Sequence, residues 1–229
     1  MKKFILIIIT LIFSLYILVE FIGDRLVKNV LEDNISSSLD RKVSIKKLNI
    51  DYLSGKANLE EIELMNKNFE GYMIKIENIK VALDTFSIFT NDIIIINVLL
   101  NNIKVNYYFN FKEQKISDNL RSLEKDLRKK SSSKSNKFFN IQNLSAKNIS
   151  LSVLSPELDI EKSFKLNDMN FKNIGNTNQS KNYKDVLKKF FVDTVEKIKE
   201  KVSIEDILNN FDVDQIENKV KDKLKKLIN

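Results

Sequence analysis

The chain contains no cysteine, no histidine and no tryptophan, and only four glycines. Without cysteine there is no disulfide, no thiolate nucleophile and no lipid-modified N-terminal cysteine. Without histidine the commonest metal ligand, imidazole acid–base chemistry and a serine–histidine nucleophile all disappear. No glycine-rich phosphate loop, G-x-S-x-G elbow or S-x-x-K with its partner signature is present. Carboxylate-only chemistry would fall to residues such as Asp51, Asp84 or Asp92, and each reads more simply as a strand-end or turn residue. The expectation is a protein that is not an enzyme and needs no metal or other cofactor. Arginine is scarce as well: Arg25, Arg41, Arg121 and Arg128 are the only guanidinium groups within a net charge of +7. Nucleic-acid binding would want arginine and aromatics clustered on one face, so no nucleic-acid partner is expected. Lysine-borne charge suits anionic headgroups or plain solubility.

What is present begins with one apolar run from Phe4 to Val19, broken by Thr10, Ser14 and Tyr16, with Lys2 and Lys3 before it. Phe4 to Ile22 as a helix spans about 28 Å, close to a hydrocarbon core of about 30 Å. A cleaved signal peptide would need small residues after the run, whereas Ile17 to Asp24 is mostly bulky. The expected organisation is a transmembrane anchor at 1–23 and an amphipathic connector helix at 24–40. The lysine pair sets the N-terminus in the cytoplasm and exports the bulk of the chain.

From Arg41 to Ile174 a unit recurs: apolar, any, polar, apolar, any, apolar. It reads Ile45-Lys-Lys-Leu-Asn-Ile50, Leu59-Glu-Glu-Ile-Glu-Leu64, Ile76-Glu-Asn-Ile-Lys-Val81 and Leu100-Asn-Asn-Ile-Lys-Val105. It returns as Ile141-Gln-Asn-Leu-Ser-Ala146 and Leu166-Asn-Asp-Met-Asn-Phe171. The last two apolar positions alternate as in a half-buried strand. The first pair is three apart, so the alternation slips by one. A strand keeps one face buried through such a slip only with an irregularity such as a β-bulge, which bends it. The spacing predicts strands near 42–52, 56–66, 72–83, 92–100 continuing through 104–111, 138–154 and 158–172. Hairpin-length gaps favour antiparallel neighbours. Ile93 to Ile96 is apolar on both faces and reads as a central or covered strand. Tyr107, Tyr108, Phe109 and Phe111 put aromatics on both faces.

The sheet domain is assigned to 41–175, with a helix and linker inserted at 116–137. Ile116, Leu120, Leu123 and Leu127 stand at helical spacing, ahead of a serine-rich linker. The segment 176–229 turns helical, with Tyr183, Leu187, Phe190 and Ile198 on one face and Ser203-Ile-Glu-Asp206 resembling a capping box. This amphipathic tail has three possible uses: covering the sheet, pairing with another helix, or lying on a membrane.

Several stretches resemble bacterial AsmA-family proteins. They are Leu39-Asp-Arg-Lys-Val-Ser-Ile45, Leu53-Ser-Gly-Lys-Ala-Asn-Leu59, Asn68-Phe-Glu-Gly71, the Ile93-to-Tyr107 block, Asn119-Leu120 and Met169-Asn-Phe-Lys-Asn-Ile-Gly175. The resemblance spans about Met1 to Phe191. It departs at Asn101-Asn102, where the family often has Gly-Pro, and this leaves the strand free to continue. The resemblance implies a curved, groove-like, mainly antiparallel sheet in the envelope of two-membrane bacteria, anchored in the inner membrane with its bulk in the periplasm. It also implies phospholipid handling, with acyl chains as cargo. Ile79, Val81, Ile103, Val105, Leu144 and Ala146 are the candidate groove-lining positions. The alternative is a structural or assembly module that binds another envelope protein through its tail or strand edges.

Overall fold

The computed structural model describes residues 23–112, 115–129, 138–156 and 159–175. The expected anchor up to residue 22, the serine-rich linker and the 176–229 tail lie outside the described residues. Helix α1 (23–39) leads into β1 (Val43–Asp51), β2 (Lys56–Met65) and β3 (Tyr72–Leu83). A short 3₁₀ turn, Thr85–Phe89, precedes β4 (Asp92–Lys112). Then follow β5 (Lys115–Asp118), α2 (Asn119–Lys129), β6 (Phe138–Ser155), β7 (Ile160–Leu166) and β8 (Met169–Gly175). The strands form one open, mixed, mostly antiparallel sheet in the order β1-β2-β3-β4-β6-β7; β5 pairs with β4, and β8 with β6.

One feature lies beyond the sequence expectation and two depart from it. First, β4 and β6 are parallel, with Asp92 opposite Phe138 and Tyr108 opposite Leu154. The long connection through β5 and α2 returns the chain to the end where β4 began, as a parallel pair requires. Second, the helix expected from Ile116 starts at Asn119, because Lys115–Asp118 pairs back on β4. Asp118 then caps it, its carboxylate accepting the Arg121 N–H at 2.7 Å. Third, the expected last strand is two pieces, β7 and β8, both antiparallel to β6 and interrupted at Asn167-Asp168.

The slips in the repeated unit line up across the sheet. Pairing skips Lys46 opposite Glu61, Glu61 opposite Glu77, Glu77 opposite Asn102, and Asn102 opposite Asn148. Glu61, Asn102 and Asn148 have positive φ, at 48°, 56° and 53°. Each strand and its neighbour therefore slip together, and the register on either side of the line is unchanged. A second line joins Ile96, Gln142 and Asn173, the last with φ 53°. Here β3 does not follow, and a register shift falls at Ala82/Leu83. Asparagine visits this backbone region more readily than branched residues do.

The slips keep one face apolar along whole strands. Leu48, Leu59, Leu100, Ile103, Leu144, Ile149, Leu166 and Met169 are buried on it. The first slip line carries polar groups: Lys46 pairs with Glu61, Asn102 Nδ2 donates to Glu77 at 2.8 Å, and Asn148 Nδ2 donates to Asn102 Oδ1 at 3.2 Å.

Helix α1 protects the outer edge of β1, which has no partner strand among the described residues. Its residues Val27, Leu31, Ile35 and Leu39, four apart, pack on the apolar face. Its polar side chains take up the edge of the strand. Asp24 Oδ2 accepts from Ile50 N at 3.3 Å, Glu32 Oε1 from Ile45 N at 2.6 Å and Ser36 Oγ from Val43 N at 2.9 Å. Lys28 Nζ donates to Ile45 O at 2.9 Å. A bare edge would be a template for unwanted strand pairing. Glu32→Ala is expected to cost about 1–2 kcal/mol, because it strands the buried Ile45 N–H. Faster amide exchange at Ile45 than at Leu59 would register the loss.

Candidate functional site

The candidate site is the apolar face of the sheet. Six strands spaced by about 4.8 Å give it a width of about 24 Å. Its two ends differ. The far end holds the β2–β3 turn and α2. There Leu120 and Leu123 of α2 are buried with Leu39, Val43, Met73, Tyr107 and Phe109. Tyr107 and Phe109 stack at 6.0 Å, and on the opposite face Tyr108 stacks on Phe69 at 5.3 Å. Burial, followed by the charge of Asp118, pushes the Tyr107 phenol well above its ordinary range, so it stays protonated. Arg41, 5% exposed, ties the start of β1 to α2 through Asp126 at 2.7 Å and Ser122 at 3.0 Å. Asn119 Nδ2 donates to Asn66 Oδ1 at 2.9 Å and to Asn106 O at 2.7 Å.

The near end holds the β1–β2 turn and the Thr85–Phe89 turn. Apolar positions of the face near this end are only half-buried: Ile50, Ala57, Val81, Ile95, Ile141 and Ile174. The cover thins from the far end to the near end.

The six candidate lining residues all lie on this one face. Ile79 and Val81 are half-buried, packed beside the core. Ile103, Val105, Leu144 and Ala146 are buried in it, at 7%, 3%, 4% and 4% exposure. Half-buried Ile62, Ile76 and Phe171 also belong to the face; they occupy unit positions and were readable from the same pattern. Ile95 and Ile174 were not, because their place depends on the second slip line. The Ile93-to-Ile96 stretch is central between β3 and β6 but not covered, since Ile96 is 43% exposed.

Two of the carboxylates considered for chemistry, Asp51 and Asp84, serve turns. Asp51 accepts from Leu53 N, Ser54 N and the Ser54 hydroxyl, and that hydroxyl holds its carboxyl below the usual range. Asp84 caps the 3₁₀ turn through Phe86 N at 3.0 Å. Among the described residues, no group of three or more acidic side chains could hold a metal, and no helix is long and apolar enough to cross a membrane. The site is thus a one-sided apolar sheet, closed by helices at one end and along one edge. No family model, curated protein or solved structure gives a significant match to the chain.

Proposed function

We propose that this is a membrane-anchored envelope protein that shields phospholipid acyl chains on the apolar face of its sheet, in the manner of a short AsmA-like protein. The supporting observation is the graded cover of that face, buried under α2 and half-exposed from Ile50 to Ile174 at the near end. The aligned slips favour a curved sheet, because an irregularity repeated across neighbouring strands bends them together. In this reading the anchor sits in the inner membrane and the sheet in the periplasm. Exposing a sixteen-carbon chain to water costs roughly 12 kcal/mol at about 0.8 kcal/mol per methylene, and an apolar trough removes much of that barrier. The sheet is too narrow to cross a periplasm, so the role is a relay close to the membrane, without catalysis.

Native mass spectrometry of the full chain, released from detergent, is expected to show bound phospholipid. Ile79→Asp is expected to reduce the bound fraction about tenfold while circular dichroism stays unchanged. A chain that carries no lipid, or a variant that carries as much as the parent, would count against this role.

A second reading, a module that binds another envelope protein, is favoured by the outer side of β7 and β8, which has no pairing strand among the described residues. Crosslinks from Lys165 or Lys172 to a partner chain would support it.

A further inference from the structure

The near end of the sheet carries an unusual set of exposed apolar side chains. Phe86 and Phe89 of the 3₁₀ turn are 82% and 88% exposed, and Leu53 of the β1–β2 turn is 79% exposed. The two turns touch. Leu83 N donates to Gly55 O at 2.8 Å, and a Cβ on Gly55 would stand 2.6 Å from Leu83 O and from Thr85 Cγ2. A soluble loop tip gains nothing from three large apolar side chains in water. Each costs solvation, and none is needed to make its turn. The caps there are polar: Asp51 for one turn and Asp84 for the other.

The chain order says what faces this end. The described part of α1 begins at Gly23, and Asp24 accepts from both Ile50 N and the Tyr52 hydroxyl beside the same turns. The apolar run Phe4 to Ile22 therefore joins the domain at this end, and Leu26, close to it in α1, is 60% exposed. β8 also finishes here, with Gly175 opposite Asn140. The charge at this end is mixed: Asp24, Asp51, Asp84 and Asp92 stand with Arg25 and Lys56. A surface like that has no cationic grip on anionic lipid and interacts through its apolar tips.

We infer that Leu53, Phe86 and Phe89 dip into the headgroup–acyl boundary of the bilayer holding the N-terminal segment, and so stand the sheet with its half-exposed end against the membrane. The occupant of this surface is a lipid bilayer, with zwitterionic phosphatidylcholine sufficient. This rests on the anchored reading above and adds the orientation. The thinly covered end of the apolar face becomes the end at which a lipid enters or leaves.

The absence of tryptophan makes the test clean. The full chain is placed in phosphatidylcholine nanodiscs as single-tryptophan variants Phe86→Trp, Phe89→Trp and Asn68→Trp. Asn68 lies in the β2–β3 turn, about 30 Å away along the strands. Shallow doxyl-labelled phosphatidylcholine is expected to quench the first two at least threefold more than the third. Equal quenching of all three would overturn the proposal. So would a blue-shifted but unquenched signal from Phe86→Trp, which would mean that the tips pack against protein. A chain that does not co-elute with the discs removes the anchor and this proposal with it. Quenching of the tips in a chain that carries no lipid would sink the cargo reading and leave the docking intact.

Discussion

Asp126→Ala is expected to destabilise the domain by about 3 kcal/mol, because it leaves the Arg41 guanidinium buried without its counter-charge. The Arg41 side chain is only 2% exposed, and its Nη1 lies 2.7 Å from Asp126 Oδ2. Asp40 O and Ser122 Oγ remain as acceptors, but neither carries a charge. Lys67 sits on the solvent side of the same carboxylate at 3.4 Å and adds little, since exposed pairs contribute at most about 1 kcal/mol. Replacing both partners, Arg41→Met with Asp126→Leu, is expected to recover more than half of the loss, because no lone charge then stays buried. Denaturant unfolding of the full chain in detergent, read by circular dichroism, measures both variants.

The pair also sets an acid response. Burial would raise the Asp126 carboxyl, but Arg41 and Lys67 outweigh it and hold the group below its ordinary value of 3.8. A carboxyl depressed in the folded state stabilises fully above its unfolded value, about 3.9, and that contribution is lost as pH falls through the folded one. The parent should therefore lose stability as pH falls below about 4. Asp126→Asn should show a flatter profile there.

Asn102→Val is expected to cost about 2 kcal/mol. A branched side chain at φ 56° meets the carbonyl clash that disfavours left-handed backbone, at about 1–2 kcal/mol per residue. The hydrogen bonds to Glu77 and Asn148 are lost as well. Asn102→Gly keeps the backbone free and should stay within about 1 kcal/mol of the parent. Unfolding midpoints of the two variants give the comparison. A valine variant as stable as the parent would show that the slip line does not depend on left-handed backbone at Asn102.

These two sites differ in how far the sequence announces them. The slip at Asn102 is visible as the three-residue step from Leu100 to Ile103, and asparagine there fits its left-handed backbone. The slip at Asn148 is marked in the same way, since Ala146-Lys-Asn-Ile-Ser-Leu151 has the spacing of the repeated unit and overlaps the copy at Ile141 to Ala146. The pairing of Arg41 with Asp126 joins residues 85 positions apart in the chain, and no spacing rule reaches that far. Strand positions along most of β1 to β4 followed from alternation and turn residues, because those signals act over a few neighbours. The parallel pairing of β4 with β6 did not, because it depends on where a long connection delivers the chain.

By itself the sequence determined that the described part is a sheet of slipped, one-sided strands with helices beside it, and it excluded cysteine and histidine chemistry outright. Apolar spacing and missing side chains are local properties that no packing can alter. Only the tertiary structure decided that the slips align, that α1 seals the β1 edge, and that one end of the apolar face is better covered than the other. Those outcomes depend on register between strands and on helix docking, where residues far apart in the chain meet.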